Sequence, residues 1–162
     1  MINSIEFIPP NNLVQDILDV YKKSEDFLSL GPISTASIKM VLEDLEYSKQ
    51  HGYSYYCIRY GEKIVGVCDY LEYGFEGDNG NGYINLIIIC KENRNHGIGR
   101  EVLDKIEIGI RKHKCQRIIA FVQTNNSNAI EFWIKSGFSI CSDKIRNEDK
   151  TIVYRIEKML KL

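Results

Sequence analysis

The sequence predicts a mixed α/β fold, a mixed sheet with helices on its faces. Three observations predict it. Segments with apolar residues at helical spacing alternate along the chain with short β-branched and aromatic runs. Two pairs of those runs are joined as hairpins, which requires antiparallel pairing. An apolar run, Leu86-Ile87-Ile88-Ile89-Cys90, passes through a glycine-bearing loop into an amphipathic segment, so a strand ends and a helix begins there.

The elements follow in order. Residues 2–8 alternate enough for a first strand, and Pro9-Pro10 stops it. Asn11 or Asn12 can cap a helix on which Leu13, Val14, Ile17, Leu18 and Tyr21 share one side. Gly31-Pro32 breaks the chain. Ser34 or Thr35 caps a second helix with the stripe Ile38, Val41, Leu42 and Leu45, and Gly52 ends it. Residues 53–60 and 63–73 are strands around a tight Gly61-Glu62 turn. Residues 74–82, GFEGDNGNG, make a flexible, mildly acidic loop.

Residues 83–90 read as a strand buried on both faces near its end. A helix over residues 97–112 carries Ile98, Val102, Leu103, Ile106 and Ile110 on one side. Glu101–Lys105 and Glu107–Arg111 are expected as exposed i,i+4 ion pairs on it. Residues 117–122 form a strand, and 125–136 a helix stopped by Gly137. The last strands cover 138–141 and 151–159, joined by a polar loop over 142–150.

A chain of 162 residues predicts one domain with a core that needs no metal or disulfide. The net charge of -1 argues against a non-specific nucleic-acid binder. No apolar run reaches membrane-spanning length, so no membrane partner is expected, and residues 1–6 lack the features of a secretory signal. The five cysteines, Cys57, Cys68, Cys90, Cys115 and Cys141, are odd in number and form no Cys-x-x-Cys pair. They read as buried, reduced thiols of a cytoplasmic protein, the alternative being that one is a nucleophile. No metal site is expected.

The stretch Arg94-Asn95-His96-Gly97-Ile98-Gly99-Arg100 carries the chemistry. A helix that starts after a glycine turn points unpaired N–H groups and the positive end of its dipole at one place, which suits a phosphate. Taken alone, Gly97 and Gly99 mark only a helix start. A P-loop would need Gly-x-x-x-x-Gly-Lys followed by Ser or Thr, and the chain has none. A dinucleotide loop would need a third glycine and a place near the first strand.

The pattern Arg94-x-x-Gly97-x-Gly99 after a buried strand resembles the acetyl-CoA loop of the GNAT superfamily of N-acetyltransferases. Asn126-x-x-Ala129-x-x-Phe132-Trp133-x-x-x-Gly137-Phe138 resembles that family's later helix and strand. The resemblance implies a mostly antiparallel sheet of about seven strands flanked by about four helices. Within it, the strands near Cys90 and Arg117 would lie parallel and splay apart. The pantetheine arm would enter that gap along the backbone of Ile87, Ile88 and Ile89. Amides of Arg94, Asn95, His96, Gly97, Ile98, Gly99 and Arg100 would hold the pyrophosphate, with charge from Arg94, Arg100 and Lys91. Asn126, Ala129 and Trp133 would line the far side.

The sequence departs from the family pattern at Lys91, where proline is common, and at Asn95, where glycine is common. Asn tolerates left-handed backbone angles, so Asn95 is a mild change. Trp133 stands where many members have a tyrosine that protonates the departing thiolate, and Asn85 near a glutamate that serves others as base. Catalytic roles therefore fall to Asn85 and Trp133 by position, without a clear base; Tyr83, Tyr70, Tyr73 and Glu72 are other candidates. The implied activity is acetyl transfer from acetyl-CoA to a primary amine of a small molecule or peptide. The competing readings are a non-catalytic acyl-CoA-binding regulatory module and an unrelated nucleotide-binding protein. The sequence leaves the acceptor open, and the oligomeric state too, a homodimer included.

Overall fold

The computed structural model describes residues 4–161. In chain order these hold β1 (Ile5–Ile8), α1 (Val14–Lys22), α2 (Glu25–Leu28), α3 (Ile38–Gln50), β2 (Ser54–Tyr60), β3 (Lys63–Leu71), β4 (Asn81–Ile89), α4 (Ile98–Arg111), β5 (Arg117–Gln123), α5 (Ser127–Lys135), β6 (Ser139–Ile140), β7 (Ile145–Arg146) and β8 (Ile152–Met159). The strands make one sheet in the order β1-β2-β3-β4-β5-β8-β6, with β7 also beside β8. Every pair is antiparallel except β4 with β5. The predicted mixed sheet is present, with short elements added, α2 and β7 among them. α2 is one turn and β7 is two residues inside the loop over 142–150. Neither is long enough to display a period. Ile2 and Asn3 of the expected first strand lie outside the described residues.

Each face of the sheet is covered by helices whose apolar stripe fits it. On one face α4 buries Ile98, Val102, Leu103, Ile106 and Ile110, each 4% exposed or less, against Ile84, Ile118, Ala120 and Ile156. On the other, α1 and α3 bury Ile17, Leu18, Tyr21 and Val41 against Tyr55, Cys57, Val67 and Ile88. The α4 stripe is the one the sequence predicted. The α3 stripe is met only in half: Val41 is buried and Leu45 packs against the core, while Ile38 and Leu42 are about half exposed and Ser48 is buried. Positions 38/42 and 41/45 both carry apolar residues, so the period alone cannot choose which row faces the sheet.

The helix starts also differ from expectation. Ser37 caps α3, accepting a bond from the Met40 amide at 3.2 Å, in place of Ser34 or Thr35. α1 begins after Leu13 with no side-chain cap, and Asn12 instead turns the chain at φ 63°. The expected Glu101–Lys105 pair gives way to two other contacts. Arg100 pairs with Asp104 at 3.1 Å, and the Lys105 ammonium lies 5.2 Å from the centre of the Phe7 ring. Glu107 and Arg111 do meet, at 3.5 Å. Four cysteines are buried and free as anticipated, but Cys141 is exposed, because it follows the two-residue edge strand β6.

β4 corrects one more expectation and thereby positions the site. It is buried on both faces at its start, Asn81 to Ile84, rather than near its end. Those four residues pair with Arg117 to Ala120 of β5, and the parallel pairing stops there. β5 continues beside β8 through Gln123. From Asn85 onward, the β5-facing edge of β4 has no strand beside it, and Leu86, Ile87 and Ile89 are only half-buried.

Candidate active site

The splay coincides with a bulge. On the β3 side, Asp69 pairs with Leu86 and Tyr70 with Ile84, leaving Asn85 without a partner. The extra residue bends β4 at the point where β5 leaves it. The result is a cleft between two parallel strands, with backbone of Ile87, Ile88 and Ile89 along one wall.

The mouth of the cleft is the start of α4. Asn95 and Gly97 both take left-handed backbone angles, φ 64° and 83°. Asparagine and glycine are the residues that do so at least cost. Two sharp turns bring the chain round so that Ile98 starts the helix. Among the described residues, no acceptor bonds the N–H groups of Asn95, His96, Gly97, Ile98, Gly99 and Arg100; the first bond is from the Glu101 amide to the Gly97 carbonyl, 3.1 Å. A Cβ on Gly97 would meet nothing within 4 Å, so the turn stands open. A Cβ on Gly99 would sit 3.4 Å from the Phe132 ring of α5 and 4.0 Å from the Ile89 side chain. Gly99 therefore faces the cleft between β4 and α5. The His96 side chain is exposed. This row of free amides at the positive end of a helix can hold a diphosphate.

The two arginines of the loop are already paired, Arg100 with Asp104 and Arg94 with groups farther off. Arg94 donates from Nε to the Ile89 carbonyl (2.8 Å) and from both terminal nitrogens to Asp26 of α2 (2.6 and 3.2 Å). The guanidinium holds the Asp26 carboxyl below its ordinary value. On the other side, Asn125 donates to the Leu30 carbonyl at 3.2 Å. The segment over residues 25–31 thus spans the cleft from the end of β4 to the end of β5. Arg94→Ala is expected to release it, speeding amide exchange over residues 25–30 at a cost of about 1 kcal/mol, since the pair is partly exposed. Hydrogen exchange with urea unfolding checks this.

The far wall is α5. Asn126 caps it, accepting from the Ala129 amide at 3.1 Å. Ala129 packs on the core beneath. Trp133 is 8% exposed, with its ring edge-on to Phe132 (5.4 Å) and Phe138 (4.8 Å). The structure thus gives it a packing role in the core whatever else it does.

Asn85 is held on both sides. Its Oδ1 accepts from the Tyr83 hydroxyl at 3.1 Å, and its Nδ2 donates to Asp69 Oδ2 at 3.0 Å. Asp69 Oδ1 accepts from the Ser48 hydroxyl of α3 at 2.6 Å. Asp69 is 1% exposed, and burial pushes its carboxyl above the ordinary range. Around this chain stand aromatic rings. Phe75 stacks on Tyr83 at 3.9 Å, and Tyr53 lies 5.5 Å from it. Burial pushes the Tyr53 phenol up to about 12 and raises that of Tyr83 further, so neither is a base at neutral pH.

The other base candidates are elsewhere. Tyr70 points to the opposite face, beside Phe7 and Tyr56. Glu72 bonds His113 at 2.7 Å and Tyr73 stacks on the same imidazole, both beyond the C-terminal end of α4. No cysteine is activated: burial pushes Cys57 up to about 12 and Cys141 up to about 11, and raises the rest. A nucleophilic thiol needs the opposite shift.

Asp69 and Ser48 are the residues that the sequence reading missed. The signal was an acid inside the apolar run Ile64-Val65-Gly66-Val67-Cys68-Asp69, because a buried carboxylate must be bonded or used. A carboxyl raised in the folded state contributes stability below its unfolded pKa and loses it as pH rises through the folded one. Asp69→Asn is therefore expected to melt no lower than the parent at neutral pH. The gap should close as pH falls toward about 4, as thermal melts across pH will show.

Comparison with known proteins agrees with this architecture. Residues 16–138 match the acetyltransferase (GNAT) family. A probable spermine N(1)-acetyltransferase of Bacillus subtilis subsp. natto is 27% identical over 121 residues, covering 72% of this chain and 78% of that protein. An acetyltransferase from Thermus thermophilus has the same fold, with a TM-score of 0.80 at 18% identity over 98% of this chain and 99% of the other. YncA from Salmonella typhimurium, solved with its cofactor acetyl-CoA, gives 0.70 at 14% identity over 99% and 95%.

Proposed function

The chain belongs to the acetyltransferase (GNAT) family, and from that premise we propose that it transfers an acetyl group from acetyl-CoA to a primary amine of a small molecule or peptide. The observation that carries the reading is the open β4–β5 cleft ending at six unbonded amides. The residues present fit the donor. The amides of Asn95 to Arg100 would hold its pyrophosphate, and Gly97 leaves the space beside them open. The backbone of Ile87, Ile88 and Ile89 would hold the pantetheine arm, with Asn126, Ala129 and Trp133 opposite. Bound there, acetyl-CoA supplies an activated thioester.

The protein's own contribution is placement. The amine attacks the thioester carbonyl directly, since no thiol is poised to form an acyl-enzyme. Backbone N–H near Ile89 polarises the carbonyl, and Asn85 Oδ1 orients the amine. The proton of an ammonium acceptor leaves to water before attack, as its pKa is near 10.4. The thiolate departs unaided, its thiol pKa being near 8.5, and the N–H proton that the attacking nitrogen sheds as the amide forms passes through water to that thiolate. The relative's description as a probable spermine N(1)-acetyltransferase makes an aliphatic polyamine the first acceptor to try. Five unpaired thiols suit a reducing compartment such as the cytoplasm.

The test is release of CoA with spermine, diamines, amino acids, aminoglycosides and peptides. Turnover with at least one amine is the expected outcome. Tight binding of acetyl-CoA with no turnover on any of them would instead establish a regulatory acyl-CoA-binding module.

A further inference from the structure

Asp69 is a buried carboxylate bonded only by neutral groups. Its two oxygens accept from Ser48 and Asn85. The titratable groups facing it are Asp44 and His51 from α3 and its end, Tyr53 just before β2 and Tyr55 within it, Cys68 from β3 and Tyr83 from β4. No lysine or arginine forms an ion pair with it among the described residues. A structural role alone is served better by a neutral side chain of the same shape, because burying the charge costs stability. Its place is telling: it lies opposite the bulge, bonded to the one residue between Tyr83 and Ile89 that has no partner on β3.

We propose that Asp69 is a positioning residue for acetyl transfer, acting through Asn85. The inference rests on the N-acetyltransferase reading above. An ionised carboxylate only accepts hydrogen bonds. It therefore forces the Asn85 amide to turn Nδ2 inward and Oδ1 outward. Oδ1 has two lone pairs, and the Tyr83 hydroxyl takes one. The second is free to accept an N–H of the acceptor amine, which leaves the nitrogen lone pair directed at the thioester. In the flipped orientation Nδ2 would donate to that lone pair and block attack. The charge on Asp69 makes the flip unfavourable, because Oδ1 would then face a carboxylate oxygen. Asn at position 69 can bond Asn85 in either orientation, so it keeps the packing and loses the selection.

The test uses Asp69→Asn, Asn85→Ala and the double variant, with kcat on an active amine, the acetyl-CoA dissociation constant and the melting temperature. Asp69→Asn and Asn85→Ala should each lower kcat about 10- to 100-fold. Acetyl-CoA affinity should stay at the parental value in both. The double variant should lose no more than the larger single loss, as expected of residues acting as one unit. Parental kcat in a folded Asp69→Asn protein, or losses that multiply in the double variant, would overturn the proposal. If Asp69→Asn fails to fold, parental kcat in Asn85→Ala overturns it. A parent inactive on every amine overturns the acetyltransferase reading together with this inference; an active parent with an unaffected Asp69→Asn variant overturns this inference alone.

Discussion

Gly99→Glu is expected to abolish acetyl-CoA binding, a loss of about 100-fold or more in affinity, while the protein melts no lower than the parent. The two effects separate because they have different causes. Position 99 lies in the first turn of α4. Glycine there costs about 1 kcal/mol against a good helix former, and an acid near a helix N-terminus is favourable. A Cβ at this position would meet the Phe132 ring at 3.4 Å, an ordinary contact. The same carboxylate would extend toward the cleft and place negative charge among the amides proposed to hold the diphosphate. Titration calorimetry and a melting curve on one sample read both signs. Unchanged affinity would show that the loop is only a helix start.

Trp133→Ala is expected to lower stability by about 3–5 kcal/mol, the cost of removing a buried aromatic. The side chain is 8% exposed and sits edge-on between Phe132 and Phe138, so truncation leaves a hole where α5 meets the sheet. Against a typical total of about 5–15 kcal/mol, that is a large share. Trp133→Phe is the informative companion. It keeps most of the packing and removes the indole N–H. If the thiolate leaves unaided, kcat should change by less than about threefold; a larger fall would show that the indole N–H, a hydrogen-bond donor, steadies the departing sulfur. Urea unfolding measures the first variant and steady-state kinetics the second.

The fold was legible where a period was long and unambiguous. Ile98, Val102, Leu103, Ile106 and Ile110 of α4 face the sheet as their spacing requires. Periodicity misled where two apolar rows competed, as at Ile38 and Leu42, and was silent for one-turn and two-residue elements such as α2 and β7. Burial of β4 was misplaced because Leu86 to Cys90 is the most apolar run, yet β5 leaves it there and its side chains flank an open cleft. The family relation was readable from the glycine loop and the Asn126-to-Phe138 segment.

The site was legible only in part, because side-chain partners lie far apart in sequence. The Arg94 charge reads as a phosphate ligand until Asp26, 68 residues away, is found bonded to it. Asn85 reads as a missing base until Asp69 and Ser48 are found behind it. Neither pairing has a local signature. Only the burial of Asp69 in an apolar strand gave notice that something would have to bond it.

Acetyl-CoA in the β4–β5 cleft would present its thioester to an amine beside Asn85. A crystal structure of the protein with CoA tests this most directly. Pyrophosphate is expected within hydrogen-bond distance of the amides of residues 95–100, and the pantetheine arm alongside Ile87, Ile88 and Ile89, with its sulfur toward Asn85. CoA bound on another face, with the cleft closed by pairing of β4 to β5 beyond Ile84, would contradict it.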